Sequence, residues 1–596
     1  MAPPAPSDPP TPEAGARRRR LALDAACALL ALGATLWFAR SFFGHAWPEG
    51  HRYEFHLVRT LLLADGWRAG ALVPRWLPEL SAGLGSPLFV YYGWLSYAPA
   101  AALNLWGLDA ATACNVVLVA ALLVQAAGAW ALGHELGGRA GGFVAWALFG
   151  FAPYLLVDLF VRANYPEVVA GALAPLALVT LVRAARGRAR ASTLAGAAAC
   201  AAIVLCHNLT AAITLPAVAA VGLGFALASP REERRAALVR VGGALALALG
   251  LSALFWLPLA AGRHDVQLHR IFQGYYHYAH HFVYPAQLLD ETPRWGASVE
   301  GPDDGMPFPY GRAQALATLA ALVVAVRFPA RRAAALGFAG GGVALVFLTT
   351  TWSAPVWSAL APLQVVHFPW LLFLPASLLL AAAGAVAAAP LFDALDAHLA
   401  RRPALRRLVA PTVALALAAS TAPLAAPRRL LEASDATLRS SVTEKYVTTA
   451  CSDEYRPTAT TDGAALDDML GRETALLDGV PLPEAQLPPW GARRQMRLEV
   501  RAPHAGALAI PVFWFPGWRV EVDGRRVAAR ACPGSGVICA PVGAGAHVVE
   551  ARLETTRVQR AGEALSAASL LLALALAIRA RARRARRHLS NLPDRG

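Results

Sequence analysis

Charge is scarce in this chain of 596 residues. Only 16% of them are Asp, Glu, Lys or Arg while 56% are hydrophobic, and soluble domains carry about 25% charge. That balance excludes an ordinary soluble enzyme and indicates an integral membrane protein. Cysteine is scarce too, with seven in the chain. Cys27, Cys114, Cys200 and Cys206 lie in or beside apolar runs, where a small buried thiol is expected, and no zinc-type spacing is present. Cys532 and Cys539 flank a Pro-Gly-Ser-Gly turn, and would close a short disulfide if that segment faces an oxidising compartment. Lysine is nearly absent, so Arg carries the formal charge of +15. The arginines gather in short blocks at 17–20, 183–190, 231–240, 327–332, 401–407 and 579–587. Each block sits beside an apolar run, which is the pattern of cytoplasmic anchors and not of a nucleic-acid surface. The Ala- and Arg-rich composition also suits a GC-rich bacterial genome.

What is abundant is the apolar run of roughly 17–25 residues, long enough to cross about 30 Å of hydrocarbon. After a Pro- and Ala-rich, disordered and basic stretch at 1–20, the first run is 21–40. No small-x-small cleavage site follows it, so it reads as an uncleaved helix. Further candidate spans are 86–105, 112–132, 140–156, 166–182, 191–206, 209–228, 239–261, 313–327, 334–350, 369–390, 408–426 and 562–580. With every Arg block inside, segments 42–85, 157–165, 262–312, 351–366 and 427–561 fall outside. Parity then requires that one of 86–105, 112–132 and 140–156 does not cross fully, or that 42–85 dips into the membrane. The segment 86–105, with Tyr91, Tyr92, Trp94 and Tyr97, is read as partly interfacial, which leaves about twelve crossings. The predicted fold is therefore an all-α polytopic membrane domain over 21–426, followed by a small external β-sandwich-like domain over 427–561. A final helix at 562–580 and a basic tail at 581–596 complete it. The β reading rests on the alternation of Met496, Leu498 and Val500, then Val520 and Val522, with Asp523-Gly524 as a tight turn.

Polar groups collect at three external places. The stretch 49–99 holds Glu54, His56, Arg59 and Arg75 among aromatics. The segment 157–167 holds Asp158, Arg162, Asn164 and Glu167 at a membrane boundary. The segment 262–312 is dense in His, Asp and Glu, but charge in a long external loop costs little. Polar groups near bilayer depth are costly and so carry more information. Each has a plain alternative. Glu54 suits a solvated loop, and His56 the edge of an amphipathic helix. Asp158 and Arg162 have the spacing of an i,i+4 ion pair. His207 and Asn208 suit a bond between helices. HYAHH at 277–281 lacks a fixed ligand geometry, so no metal ligand is assigned. Asp523 is a turn residue.

The segments GHRYEFHLVRTLLL and PRWLPELSAGLGSPLFVYY resemble the first external loop of a bacterial multi-spanning family. Its members are called YfhO-like, or "6-pyruvoyl-tetrahydropterin synthase-related" membrane proteins, and look like relatives of the GT-C glycosyltransferases. The likeness continues through VRANYPEVVAGALAPLAL, LCHNLTA, LFWLPLA, GYYHYAHHFVYPAQLL, WGASVEG, HFPW at 367–370, DEYRP at 453–457 and WFPGWRVEVDGRRV. It implies a membrane glycosyltransferase in the bacterial cytoplasmic membrane, moving a sugar from a polyprenyl-phosphate carrier to an envelope glycan or protein acceptor. An acceptor hydroxyl needs a carboxylate to take its proton. The leaving lipid phosphate needs Arg or a divalent cation. The resemblance thus implies Glu54 as base and Asp158 or Glu167 as a second carboxylate. It implies His56, Arg59, Arg75, Arg162, His207 and Asn208 as substrate-binding residues, in an inverting displacement. Two departures stand out: Arg52 occupies a position where the family usually has an acid, and Leu371 follows HFPW where the family usually has Arg. A non-catalytic protein that binds lipid-linked glycans is the second reading. A lipid or glycan transporter is the third.

Overall fold

The computed structural model describes residues 12–590 apart from Arg52, Ala189, Ala400, 445–451 and Asp462. Arg52, the position of the missing acid, therefore lies outside the described residues, as does 1–11 of the stretch read as disordered. A helix already begins at Pro12 and runs to Phe38.

The chain is mostly helical. Among the described residues six helices are long and apolar enough to cross a membrane: Ala110–Gly150, Tyr165–Ala185, Asn208–Leu227, Pro329–Thr349, Pro369–Leu395 and Arg557–Ala582. A seventh span results if Arg231–Leu251 and Ala253–Gly262, bent by 67°, are taken together. The expected twelve crossings are not reached on length and composition. Ala22–Phe38 and Ala191–Cys206 are shorter apolar helices. Arg312–Arg327 has 16 residues, about 24 Å at 1.5 Å per residue, less than the hydrocarbon thickness. The stretch 86–105 makes no spanning helix, only the pieces Leu88–Tyr91 and Ala98–Leu105.

Ala110–Gly150 is one helix by hydrogen bonding but not by shape. Gly137 and Gly138 leave helical geometry, Gly138 with φ 63°. A Cβ placed on Gly133 would meet the Gly141 carbonyl oxygen at 2.1 Å. In a straight helix those residues are about 12 Å apart, so the chain folds back here, and only glycine permits the approach. The second arm continues through Pro153–Val157 into a single π-helical turn, Asp158–Arg162.

Four of the arginine blocks meet at one end of this helical body, Arg240 donating to Ala184 O and Arg331 to Leu136 O. Arg183, Arg186 and Arg188 surround Glu135, while Arg139 and Arg407 both pair with Asp24. Glu167 and Arg183 sit at opposite ends of the span Tyr165–Ala185. The site described below, built around Glu167, is therefore at the other end from the arginines.

Near the C-terminus, nine strands form two antiparallel sheets. One has the order Val480–Gln486, Thr474–Leu477, Gly506–Phe513, Val537–Val542, Arg530–Ala531. The other has the order Gln495–Ala502, Gly545–Leu553, Trp518–Val522, Arg525–Val527. Met496, Leu498, Val500 and Ala502 are buried on one face of their strand, and Leu508, Ile510 and Val512 face the same core. Asp523 and Gly524, both with positive φ, make the two-residue turn. Cys532 and Cys539 form a disulfide.

This sandwich shares its core with the helical body. The 42–85 segment is bound to it: Phe513 N donates to Leu84 O (2.7 Å), and Trp76 meets Trp518 edge-on. Arg493, 1% exposed, donates to Gly83 O at 3.0 Å. The short ribbon Ala46–Pro48 with Leu430–Glu432 ties the first external segment to the segment that precedes the sandwich.

Candidate functional site

A cavity of about 1470 Å³ lies where the helix ends, the 42–85 segment, the 262–312 segment and the C-terminal segment meet. Of the nine residues to which the resemblance gives a role, six line it: His56, Arg59, Arg162, Glu167, His207 and Asn208. Three do not. Glu54 is half-buried on the helix Tyr53–Arg68. Phe55, His56 and Arg59 give the cavity one face of that helix, and Glu54 lies about 150° around the axis from it. Arg75 pairs with Glu563 of the last helix at 2.6 Å, joining two segments outside the cavity. Asp158, 1% exposed, stands behind Arg162.

The polar end is built on the π-helical turn. A π-turn inserts one extra residue and redirects the side chains that follow. Ala163 then takes a left-handed conformation at φ 50°. Together they bring residues of 154–167 around one guanidinium. Arg162 Nη1 is 2.6 Å from Asp158 Oδ1, 2.7 Å from Glu167 Oε2 and 3.1 Å from the Tyr154 hydroxyl. Tyr154 donates to Glu167 Oε1 (2.5 Å), and Asn164 Nδ2 donates to Oε2 (2.9 Å). Both Glu167 oxygens are thus engaged. The guanidinium stacks over Trp370 at 4.7 Å. The His51 amide donates to Arg162 O at 3.0 Å, so the first external segment closes onto the same turn.

Arg59 is the second cation. It stacks on Tyr92 at 4.1 Å and donates to the Tyr97 hydroxyl at 3.1 Å, which also bonds His56 Nδ1 at 3.0 Å. Aromatic faces and a phenol oxygen help hold this guanidinium in place. His207 caps the helix Asn208–Leu227, receiving the Thr210 amide at 3.4 Å. Asn208 donates to Tyr91 O at 3.3 Å.

The other end is apolar. Val204, Leu215, Leu245, Leu249, Trp256 and Leu259, from the helices spanning 191–262, form a furrow continuous with the polar end.

Several lining residues were not assigned from sequence. His51, Tyr92, His367, Trp370, Glu454 and Tyr455 all face the cavity. HFPW and DEYRP were conspicuous segments, but only folding shows that they line one cavity with the first external segment. Burial, reinforced by the Arg162 charge, pushes His367 down to about 3, so it is neutral; its Nδ1 is buried without a partner among the described residues. Ser298, His281 and Asp304 contain the groups of a serine triad in the wrong order. Ser298 Oγ meets His281 Nδ1 (3.0 Å), Asp304 Oδ2 (3.2 Å) and the Trp370 indole (3.2 Å), while His281 Nε2 bonds the Tyr275 carbonyl. The carboxylate holds the serine rather than the histidine, and the hydroxyl is saturated, so this cluster fastens a loop. The HYAHH histidines diverge: His277 accepts the Ala279 amide, His280 pairs with Glu300, and His281 faces Ser298. Among the described residues no group of three or more His, Cys, Asp or Glu could hold a metal ion.

Comparison with known proteins bears on this architecture. No curated protein matches the chain. Among solved structures, the chain is similar to arabinofuranosyltransferase AftD from mycobacteria, with 18% identity and a TM-score of 0.42. The match covers 68% of this chain but only 27% of that protein, so the chain spans about a quarter of its length. A family model described as "6-pyruvoyl-tetrahydropterin synthase related domain; membrane protein" matches residues 89–391. That range runs from the helix bearing Tyr91 to the span that follows Trp370, and so holds most of the cavity wall. By that match the chain belongs to the 6-pyruvoyl-tetrahydropterin synthase related family of membrane proteins.

Proposed function

We propose that this protein is a membrane glycosyltransferase that takes a polyprenyl-phosphate-linked sugar in the cavity and passes the sugar to a cell-envelope acceptor. One observation carries the reading: a single cavity joins a polar end that holds two guanidiniums, Arg59 and Arg162, to an apolar furrow between membrane helices. A lipid phosphate has that same polarity. Its anion would meet the two guanidiniums, and its isoprenoid tail would lie along Leu215, Leu249 and Trp256. Arg59 and Arg162 would also stabilise the phosphate as it leaves with the bonding electrons. Glu167 serves here by holding Arg162 in place, because its lone pairs are already committed to three donors.

The arginine-rich end faces the cytoplasm under the positive-inside rule. This puts the cavity and the sandwich on the outer face, where the Cys532–Cys539 disulfide is chemically at home. The GT-C character implied by the sequence resemblance belongs to the same proposal. The second reading, a non-catalytic binder of lipid-linked glycans, keeps the cavity and removes the turnover.

The test is binding of farnesyl phosphate to the purified full-length protein, followed by indole fluorescence. Saturable binding that Arg59→Met weakens at unchanged Tm supports the reading. Equal affinity for farnesol would show that the anion is not recognised and would overturn it.

A further inference from the structure

The cavity contains one acidic side chain of a different kind from Glu167. Glu454 lines it from the C-terminal segment, outside the 89–391 range of the family match. It is 5% exposed. Its Oε2 accepts the Ser452 amide at 2.9 Å and the Ser452 hydroxyl at 3.4 Å. Among the described residues Oε1 takes no hydrogen bond and neither oxygen has an ion-pair partner. A carboxylate so deeply buried is costly unless a donor meets it. Elsewhere in this protein that requirement is met by residues: Glu135 by three arginines, Asp158 and Glu167 by Arg162.

The loop that carries Glu454 is firmly held. Gln267 Nε2 donates to Pro457 O (3.0 Å) and Thr460 O (2.7 Å), and its amide donates to Arg456 O at 3.0 Å. The Thr461 amide donates to Gly534 O at 2.8 Å, inside the disulfide turn. Asp453 sits at φ 56° and pairs with Arg456 at 2.7 Å. Tyr455 stacks on Tyr91, 6.1 Å between ring centres. Such bracing is what a positioned reactive group requires.

We propose that Glu454 is the proton acceptor for the incoming hydroxyl of a carbohydrate acceptor. This rests on the lipid-phosphate reading of the same cavity. The hydroxyl donates to Oε1. As its oxygen bonds to the anomeric carbon of the donor sugar, the proton moves to Glu454, and the bond from the anomeric carbon to the phosphate oxygen breaks. The lipid phosphate leaves with that electron pair, toward Arg59 and Arg162. The C-terminal segment thus supplies a reacting group to the helical body rather than only covering it.

The experiment uses full-length protein in detergent with farnesyl-phosphoryl hexoses and pentoses as donors and a crude envelope glycan fraction as acceptor. It measures release of farnesyl phosphate. Glu454→Gln is expected to lower turnover by about 10² or more, the usual contribution of general base catalysis, with farnesyl phosphate affinity unchanged. Added formate should restore part of the activity to Glu454→Ala, a rescue that a structural role would not give. Turnover by Glu454→Gln at the wild-type rate overturns the assignment while leaving the lipid-phosphate reading standing. If wild-type protein binds farnesyl phosphate but turns over no donor, the assignment falls and the non-catalytic reading replaces it. If wild-type protein does not bind farnesyl phosphate, the lipid-phosphate reading fails and the assignment fails with it.

Discussion

Glu167 and Glu454 face one cavity, and they differ in almost everything else. Glu167 grows from the first turn of a membrane helix, with Arg162, Tyr154 and Asn164 all donating to it. Glu454 sits on a loop of the C-terminal segment with Ser452 as its only partner among the described residues. The first is part of a closed network that would exist without any ligand. The second is an open acceptor in a prearranged place. Burial alone does not distinguish a structural carboxylate from a reactive one; the count of donors does.

The sharpest way to break this contrast is to remove the partner of the closed network. Arg162→Met leaves the buried Asp158 and Glu167 without their counter-charge, and should cost about 3–5 kcal/mol of stability. Thermal unfolding in detergent should show a large fall in Tm, whereas Glu454→Gln should leave Tm in place. Equal Tm changes would erase the distinction. Arg59→Met comes next. Losing one charge-assisted contact, worth about 1.5–3 kcal/mol, should weaken farnesyl phosphate binding by about 10- to 100-fold at constant Tm.

The double change Cys532→Ser and Cys539→Ser should remove about 2 kcal/mol from the sandwich. Turnover should fall modestly as well, because the turn closed by that bond anchors the loop of Glu454. Denaturant unfolding and the release assay read the two effects separately. For the 262–312 segment, burial pushes His281 from 6.5 down to about 4. The folded state therefore keeps it neutral while the unfolded chain takes a proton, so its contribution is complete above pH 6.5 and is lost as pH falls toward 4. His280, Glu300 and, through Ser298, Asp304 face the same group. Burial raises Asp304 to about 6, which has the opposite sign. His281→Gln should flatten the acid limb of the Tm-against-pH curve. The smallest effect is expected from Glu54→Gln, within about 0.5 kcal/mol of stability and with no change in farnesyl phosphate release. Loss of release would restore the first external loop as the source of the base.

How the site residues divided is instructive. Arg162, Glu167, His207 and Asn208 were legible because charged and polar groups at a membrane boundary demand partners, whatever the fold. Glu54 and His56 were not separable by such reasoning. Two residues apart on a helix, they point about 200° from each other, and only the packing of Tyr53–Arg68 decides which one meets the cavity. Arg75 looked like an anion ligand because its partner, Glu563, lies almost at the other end of the chain. The hairpin at Gly137-Gly138 could be suspected from two apolar runs, but its sharpness depends on backbone contact across Gly133 and Gly141.

By itself the sequence determined the membrane class, the end of the molecule that carries the arginines, the β-rich segment near the C-terminus and the family. These follow from composition, run length and local period, which are properties of neighbours along the chain. The tertiary structure alone decided which carboxylates are engaged and which is open. It also decided that the C-terminal segment reaches into a cavity of the helical body. Both are properties of contacts between residues far apart in sequence, and no local pattern encodes them.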